Sequence, residues 1–229
     1  MEPSPGSAGQ TGQRPFGPEA ASILATEHWS LLGSRSLVWS EAMSRTTILL
    51  TVLSASIVAL ALAADATGFG PRATTLALVL LPVVLLLGLA TYARLVQINV
   101  EEVNTVLAMN RLRHAYLTMV PELEPYFSTG HHDDERGLAA TYLLAGPRDL
   151  RPWAHFLVTT PAIVATLDAA LAAAIAVLVA QAIDASAAVA VTAGAVAFVV
   201  VVGVLLPIQR RSLSAIRTTA ARFPTPPDG

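Results

Sequence analysis

The chain has 229 residues, of which 54% are hydrophobic and only 13% are charged. About a quarter of the residues of an ordinary soluble domain are charged, so this composition excludes that class and indicates an integral membrane protein. The absence of cysteine excludes disulfides, thiolate zinc sites and thiol nucleophiles. The net charge of −2 is too small to predict a nucleic-acid partner.

The N-terminal part is predicted to be a disordered tail followed by a helix. Residues 1–17 are rich in Pro and Gly and lack the apolar content that would offset the entropy of ordering. From Pro18 onward, apolar residues recur every seven or eight positions, which predicts a cytoplasmic amphipathic helix over residues 18–45. The first apolar stretch begins too late in the chain for a cleaved secretory signal, so it is expected to remain in the mature protein.

Four apolar stretches are long enough to cross a bilayer, since each is close to the ~20 residues that a spanning helix needs. They cover residues 46–64, 74–94, 156–183 and 187–208. The sequence therefore predicts an all-α integral membrane protein with four transmembrane helices and long cytoplasmic helical extensions. The helices form two hairpins, over residues 46–94 and 156–208.

The arginines predict the orientation. Thirteen of the fourteen lie before the first span, between the second and third, or after the fourth, and only Arg72 lies in a short connection. Cationic loops favour the cytoplasm, so both termini and the central segment are expected there, in a multi-pass protein of the cell membrane. Residues 209–229 would form a cytoplasmic tail, and its last seven residues, "FPTPPDG", are predicted to be disordered.

The second span is predicted to continue as a cytoplasmic stalk within residues 95–155. From Thr74 to Val120 the only helix-breaking residue is Pro82, and Pro121 then ends the helix. About 40 Å of it should project beyond the membrane. The projection carries a seam with alternating spacings of four and three, formed by Val96, Val100, Val103, Leu107, Asn110, His114 and Leu117.

Two partners are open for this seam. One is the N-terminal helix of the same chain, and the other is the same helix in other subunits of a homo-oligomer, with Asn110 fixing the register. The two are compatible, and a homo-oligomer is expected. His114, next to Asn110 in the seam, is a candidate pH-sensitive contact.

A cluster of possible ligands follows the stalk. It consists of His131, His132, Asp133, Asp134 and Glu135. Imidazole and carboxylate groups suit divalent cations, which makes the cluster a weak metal candidate. The alternative is a solvated turn or an anchor for arginines, because the spacing matches no defined metal motif. Residues 137–146 are predicted to form a short helix, and no cofactor is expected.

A single acid, Asp168, lies within the third span, in "PAIVATLDAALAAAIAV". An ionised carboxylate near the bilayer centre costs about 2.5 to 3.5 kcal/mol on insertion scales. The acid could be neutral and hydrogen-bonded, could face a water-filled pore, or could lie beside a cation. Thr47, Thr51 and Ser54 share one face of the first span, and Ser54 lies at a similar depth, so a hydroxyl bond to Asp168 is one expectation. Together with Asp168, these three residues are also the candidates for lining a pore or binding an ion.

No catalytic motif occurs in the sequence, so no enzyme is predicted. The first hypothesis is a homo-oligomeric ion channel, made cation-preferring by a ring of Asp168, with inorganic ions and membrane lipid as partners. The second is a non-conducting scaffold or signalling effector whose stalk binds a partner, and a proton-coupled transporter is third. The layout is similar to that of several small bacterial channels and membrane effectors, in outline only.

Overall fold

The computed structural model describes residues 16–68, 70–142, 159–217 and 220–227. Its regular elements in these ranges are α1 (Pro18–Thr67), α2 (Pro71–Met119), a 3₁₀ helix (Pro121–Tyr126), α3 (Glu135–Thr141), α4 (Thr160–Ala182) and α5 (Ala187–Arg217). No strand occurs among the described residues, so the predicted all-α class is confirmed.

Four of the helices, α1, α2, α4 and α5, are long and apolar enough to cross a membrane. Their number and chain order agree with the four predicted spans, and they fit a multi-pass membrane protein. The beginning of the predicted third span, residues 156–158, lies outside the described residues, as do residues 1–15. The fourth helix is longer than its predicted span, because α5 continues to Arg217.

Glycine and proline residues set the limits of the first two helices. Gly68 ends α1 in the left-handed conformation, with φ 64°, and its N–H bonds the carbonyl of Ala64. Pro71 begins α2, where its missing N–H costs no helical hydrogen bond. The predicted continuation of α2 is confirmed, since the helix passes through Pro82 and ends at Met119, just before Pro121.

The helices have a polar end and an apolar end. The polar end consists of residues 18–45 of α1, residues 95–119 of α2, the 3₁₀ helix, residues 127–142 and the tail, residues 220–227. The apolar end consists of residues 46–67 of α1, residues 71–94 of α2, α4, and residues 187–208 of α5. The last residues of α5, 209–217, carry three arginines. The central helix is α2, which packs against α1, α4 and α5. One cluster of buried residues joins the helices near the middle of the molecule and includes Leu49, Tyr92, Leu95, Val164, Ala165 and Leu205.

An ion-pair network connects α1 to α2 where the two ends meet. Arg94 donates from Nε and Nη2 to the two carboxylate oxygens of Glu41, at 2.9 and 2.8 Å, and from Nη1 to Glu101 at 2.7 Å. Arg45 also bonds Glu41, at 2.8 Å. Further toward the polar end of the two helices, Arg35 of α1 pairs with Glu102 of α2 at 2.7 Å. These contacts hold the polar half of α1 along α2.

The C-terminal tail differs from the prediction. Phe223 and Thr225 are described residues that bond the turn after the 3₁₀ helix, and the N–H of Asp133 donates to the carbonyl of Phe223 at 3.3 Å. The prediction of disorder is therefore wrong for residues 223–227. The tail is too polar to be ordered by burying apolar surface, but partners on a distant turn satisfy its backbone.

Candidate functional site

Asp168 is enclosed between two helices of the same chain. Its side chain is 0% exposed, and the neighbouring Ala165 and Ala169 of α4 are equally buried. Opposite it on α2 is Gly88, whose missing side chain leaves the space that the carboxyl group occupies. Neither carboxyl oxygen has a hydrogen-bond partner. Burial of an unpaired carboxylate is costly, so this acid is a functional candidate.

The expected hydroxyl partner does not reach Asp168. Thr47, Thr51 and Ser54 are all exposed, and the Thr51 hydroxyl bonds the carbonyl of Thr47 in its own helix. These hydroxyls are exposed because α1 packs against the rest of the molecule through a different face. Ala42, Leu49 and Ser56 are the buried positions, and their spacing of seven residues places them on the opposite side of the helix.

The surroundings of Asp168 bear on the pore hypothesis. A ring of acids around an oligomer axis requires side chains on the outer surface of each chain, whereas Asp168 faces α2 of its own chain. The hydroxyl face of Thr47, Thr51 and Ser54, in contrast, is exposed along the apolar part of α1. Polar groups that copies of the chain could share therefore lie on α1.

Asn110, predicted to fix register between subunits, is fully buried and bonded within its own chain. Its amide nitrogen donates to the carbonyls of His132 and Gly137, at 2.8 and 3.2 Å. Its oxygen accepts from Arg113 at 2.7 Å and Thr141 at 2.9 Å. Four bonds are the full capacity of an asparagine side chain. Asn110 therefore holds the turn and α3 against α2.

The other seam residues lie along the same stretch of α2. Val96 and Leu117 are buried, while Val100, Val103, Leu107 and His114 are partly buried. α1 follows this stretch, because the rings of His28 and Tyr116 lie 6.1 Å apart and Arg35 pairs with Glu102. These contacts favour the same-chain partner for the seam. An oligomeric role of these residues stays a prediction.

The two aspartates of the turn hold the C-terminal tail. Asp133 accepts from Arg111 at 2.6 Å and from the backbone N–H groups of Arg222 and Phe223 at 3.0 and 2.7 Å. Burial raises the pKa of Asp133, but these hydrogen bonds outweigh it, so the pKa lies below its ordinary value. Asp133 is therefore an ionised anchor at neutral pH.

Asp134 has two structural roles. Its Oδ1 accepts from the N–H of Gly137 at 2.8 Å, which caps α3, and from the Thr225 hydroxyl at 2.9 Å. Its Oδ2 accepts from the N–H of Thr225 at 2.7 Å. As for Asp133, burial raises the pKa of Asp134, but the hydrogen bonds lower it by more, so the pKa lies below its ordinary value.

Three histidines surround the docked tail. The ring centroids of His131 and His132 are 4.2 Å apart, and those of His114 lie 6.3 and 5.9 Å from them. The Phe223 ring stacks on His114 at 4.3 Å. Burial lowers the pKa of His114 and of His131, and the nearby His132 lowers both further. The neutral forms of His114 and His131 are therefore favoured in this structure.

The metal hypothesis for residues 131–135 finds no converging set of ligands. Within the described ranges, no three His, Asp or Glu side chains are grouped in a way that could hold a metal ion. The carboxylates of Asp133 and Asp134 point instead to Arg111 and the tail. The alternative, an anchoring turn, agrees with this geometry. Sequence reasoning named the acids but missed the tail as their partner.

Fold and site together fit a multi-pass membrane protein. Four helices among the described residues are long and apolar enough to cross a membrane, and an ordered polar unit lies at one end. The sequence matches no protein-family model, no curated protein and no solved structure.

Proposed function

We propose that the chain is a membrane-anchored scaffold or signalling protein. In this proposal the apolar end anchors it in the cell membrane, with both termini in the cytoplasm as the arginine distribution predicts. The polar end is then a cytoplasmic unit that binds a protein partner. A role in conduction is less well supported, because Asp168 is enclosed within one chain.

The observation that carries the proposal is a set of exposed apolar side chains on the polar half of α1. Ile23, Trp29 and Leu37 are 67%, 74% and 73% exposed. Trp29 precedes Thr46, the first residue of the predicted span, by 17 residues, a distance of about 25 Å along a helix. Lipid tails would not cover it there, and apolar side chains exposed to water often mark a protein contact.

The inward side of α1 supports the same proposal. Arg35 and Glu41 bond Glu102 and Arg94 of α2, so this half of α1 is fixed along the stalk. A fixed helix presents its outward side chains without a large ordering cost on binding. The outward face is therefore suited to recognise a partner in one orientation.

The experiment is site-specific photo-crosslinking in cells. A photo-reactive benzoylphenylalanine replaces Trp29, and the matched control carries it at Ile57, which is also exposed but lies in the predicted span. We expect a discrete protein adduct at Trp29 that Leu37→Asp abolishes, and none at Ile57. A Trp29 sample that gives no discrete adduct, or an adduct unaffected by Leu37→Asp, contradicts the proposal.

An ion channel is the second candidate, favoured by the unpaired Asp168 and by the exposed hydroxyls of α1. The test is ion flux into sealed vesicles that contain the purified protein, with Asp168→Asn as the variant. Asp184→Asn is the matched control, because Asp184 is exposed in the loop after α4. The scaffold proposal expects no flux above that of empty vesicles. A flux that Asp168→Asn changes and Asp184→Asn does not would establish the channel.

A further inference from the structure

The tail meets the turn in the way that a bound peptide meets a receptor. Residues 222–225 present three backbone N–H groups and one hydroxyl to the carboxylates of Asp133 and Asp134. In return the carbonyl of Phe223 accepts from the N–H of Asp133 and lies 3.2 Å from Nδ1 of His132. Hydrogen bonds to an ionised carboxylate are among the stronger ones in proteins.

The tail sequence matches the pattern of donors that the site requires. Arg222, Phe223 and Thr225 each supply an N–H, and the position between the last two is Pro224, which has none to leave unsatisfied. Proline also favours an extended conformation at Phe223, the residue before it. The Phe223 ring lies flat against His114. The recognised pattern is thus any residue, an aromatic residue, proline and threonine.

The tail also has the length to reach this site from its own helix. Tyr92 bonds the carbonyl of Leu205, so these positions of α2 and α5 are level. From that level His114 is about 33 Å further along α2, and Arg217 is about 18 Å further along α5. The six residues from Arg217 to Phe223 span up to about 20 Å when extended, which is enough for the remaining distance.

We propose that Asp133, Asp134 and His114 form a peptide-binding site that the chain's own residues 222–225 occupy, and that a free segment with the same pattern can displace them. The site is separate from the exposed surface of α1 around Trp29, which lies on another helix. It can therefore fail while the photo-crosslinking result at Trp29 stands, and the reverse is also true.

The experiment uses the full-length chain with one cysteine introduced by Pro227→Cys, which is unique because the native sequence has none. An environment-sensitive fluorophore on that cysteine reports whether the tail is docked. The probe is the free peptide AARFPTPPDG, which has the sequence of residues 220–229. A tethered tail competes at an effective concentration of the order of millimolar, so we expect a saturable change in emission at roughly millimolar peptide.

The matched variants are Asp133→Asn and Glu122→Gln. Asp133→Asn removes the charge that three donors share and so weakens the docked tail and the free peptide alike. We expect its label to emit as an undocked tail does before any peptide is added, with little further change up to millimolar peptide. Glu122 is an exposed acid of the 3₁₀ helix, and its variant should behave like the native chain. A peptide with valine in place of the threonine should displace the tail less effectively.

A second measurement tests the proposal without a substitution in the site, in case Asp133→Asn fails to fold. A chain ending at residue 219 should bind the fluorescent peptide at least tenfold more tightly than the full-length chain does, measured by anisotropy. The proposal is overturned if the full-length label has the same emission in the native and Asp133→Asn chains. It is equally overturned if folded protein lacking the tail binds no peptide up to about millimolar concentration.

Discussion

Gly88 of α2 lies directly against the carboxyl group of Asp168 in α4. A β-carbon at Gly88 would be 1.8 Å from Oδ1 of Asp168 and 2.8 Å from its carboxyl carbon. Real side chains do not approach so closely, so the acid occupies this depth only opposite a glycine. The pair therefore fixes how α2 and α4 are placed along each other.

Gly88→Ala is expected to destabilise the protein by about 1–3 kcal/mol, the usual cost of overpacking. Asp168→Ala should remove the clash, so the double variant should be more stable than Gly88→Ala alone. Thermal unfolding in detergent, followed by tryptophan fluorescence, measures both effects. Gly203→Ala is the matched control, because a β-carbon there has no atom within 4 Å. If the double variant is no more stable than Gly88→Ala, the clash with Asp168 is not the cause.

Glu41 gives a prediction about acid stability. The hydrogen bond from Arg94, followed by that from Arg45, lowers the pKa of Glu41 to about 2 from its ordinary 4.5. Because the folded-state pKa is the lower one, the stabilisation is complete above pH 4.5 and is lost as the pH falls toward 2. Glu41→Gln should therefore lower the melting temperature at pH 6 and lose this effect near pH 2. Glu27→Gln, which changes an exposed acid, should show no such difference.

The long helices could be predicted because their signals are local. Each apolar stretch is continuous, and Pro121, the residue that stops α2, can be read directly from the sequence. The continuation of α2 beyond its span followed from the lack of a breaker before Pro121. Both inferences need only neighbouring residues and the geometry of a single helix.

The site could be predicted only in part, because its contacts join distant positions. Asp133 and Phe223 are ninety residues apart, and nothing in the local sequence of the tail indicates that the turn satisfies its backbone. The position of Asp168 opposite Gly88 depends on how two helices are placed along each other. A glycine in the second span was a visible signal, since small residues mark close helix contacts, but periodicity alone does not pair it with an acid.

Replacing the side chain of Asn110 is expected to have a large effect on stability. All four of its hydrogen bonds are made inside the chain, and its side chain is fully buried. Asn110→Ala leaves the buried partners unsatisfied and should destabilise the protein by about 2–4 kcal/mol. Asn104→Ala, at an exposed position of the same helix, should change stability by less than about 0.5 kcal/mol. Equal effects of the two substitutions would contradict the conclusion that Asn110 holds the turn and α3 against α2.

Because histidines lie next to the docked tail, we expect mild acid to release the tail from the turn. Burial and His132 lower the pKa of His114 from its ordinary 6.5, against an opposing effect of Asp133. The pKa of His131 is lowered for the same two reasons, against an opposing effect of Glu124. The Phe223 ring of the tail covers His114 at 4.3 Å and so contributes to the burial of His114. We therefore expect the docked state to bind fewer protons than the undocked state. Docking is at full strength above pH 6.5 and weakens as the pH falls below it.

The fluorophore at position 227 measures this release in the full-length chain. Between pH 7.5 and about 5, the emission should move toward that of the Asp133→Asn chain, and it should return when the pH is raised. His114→Phe keeps a ring against Phe223 but removes a titrating group, so its change in this interval should be smaller. The aspartates, whose lowered pKa values lie below 3.8, add a further loss of docking only in stronger acid. An emission that stays constant from pH 7.5 to 5 would show that the histidines do not control the tail.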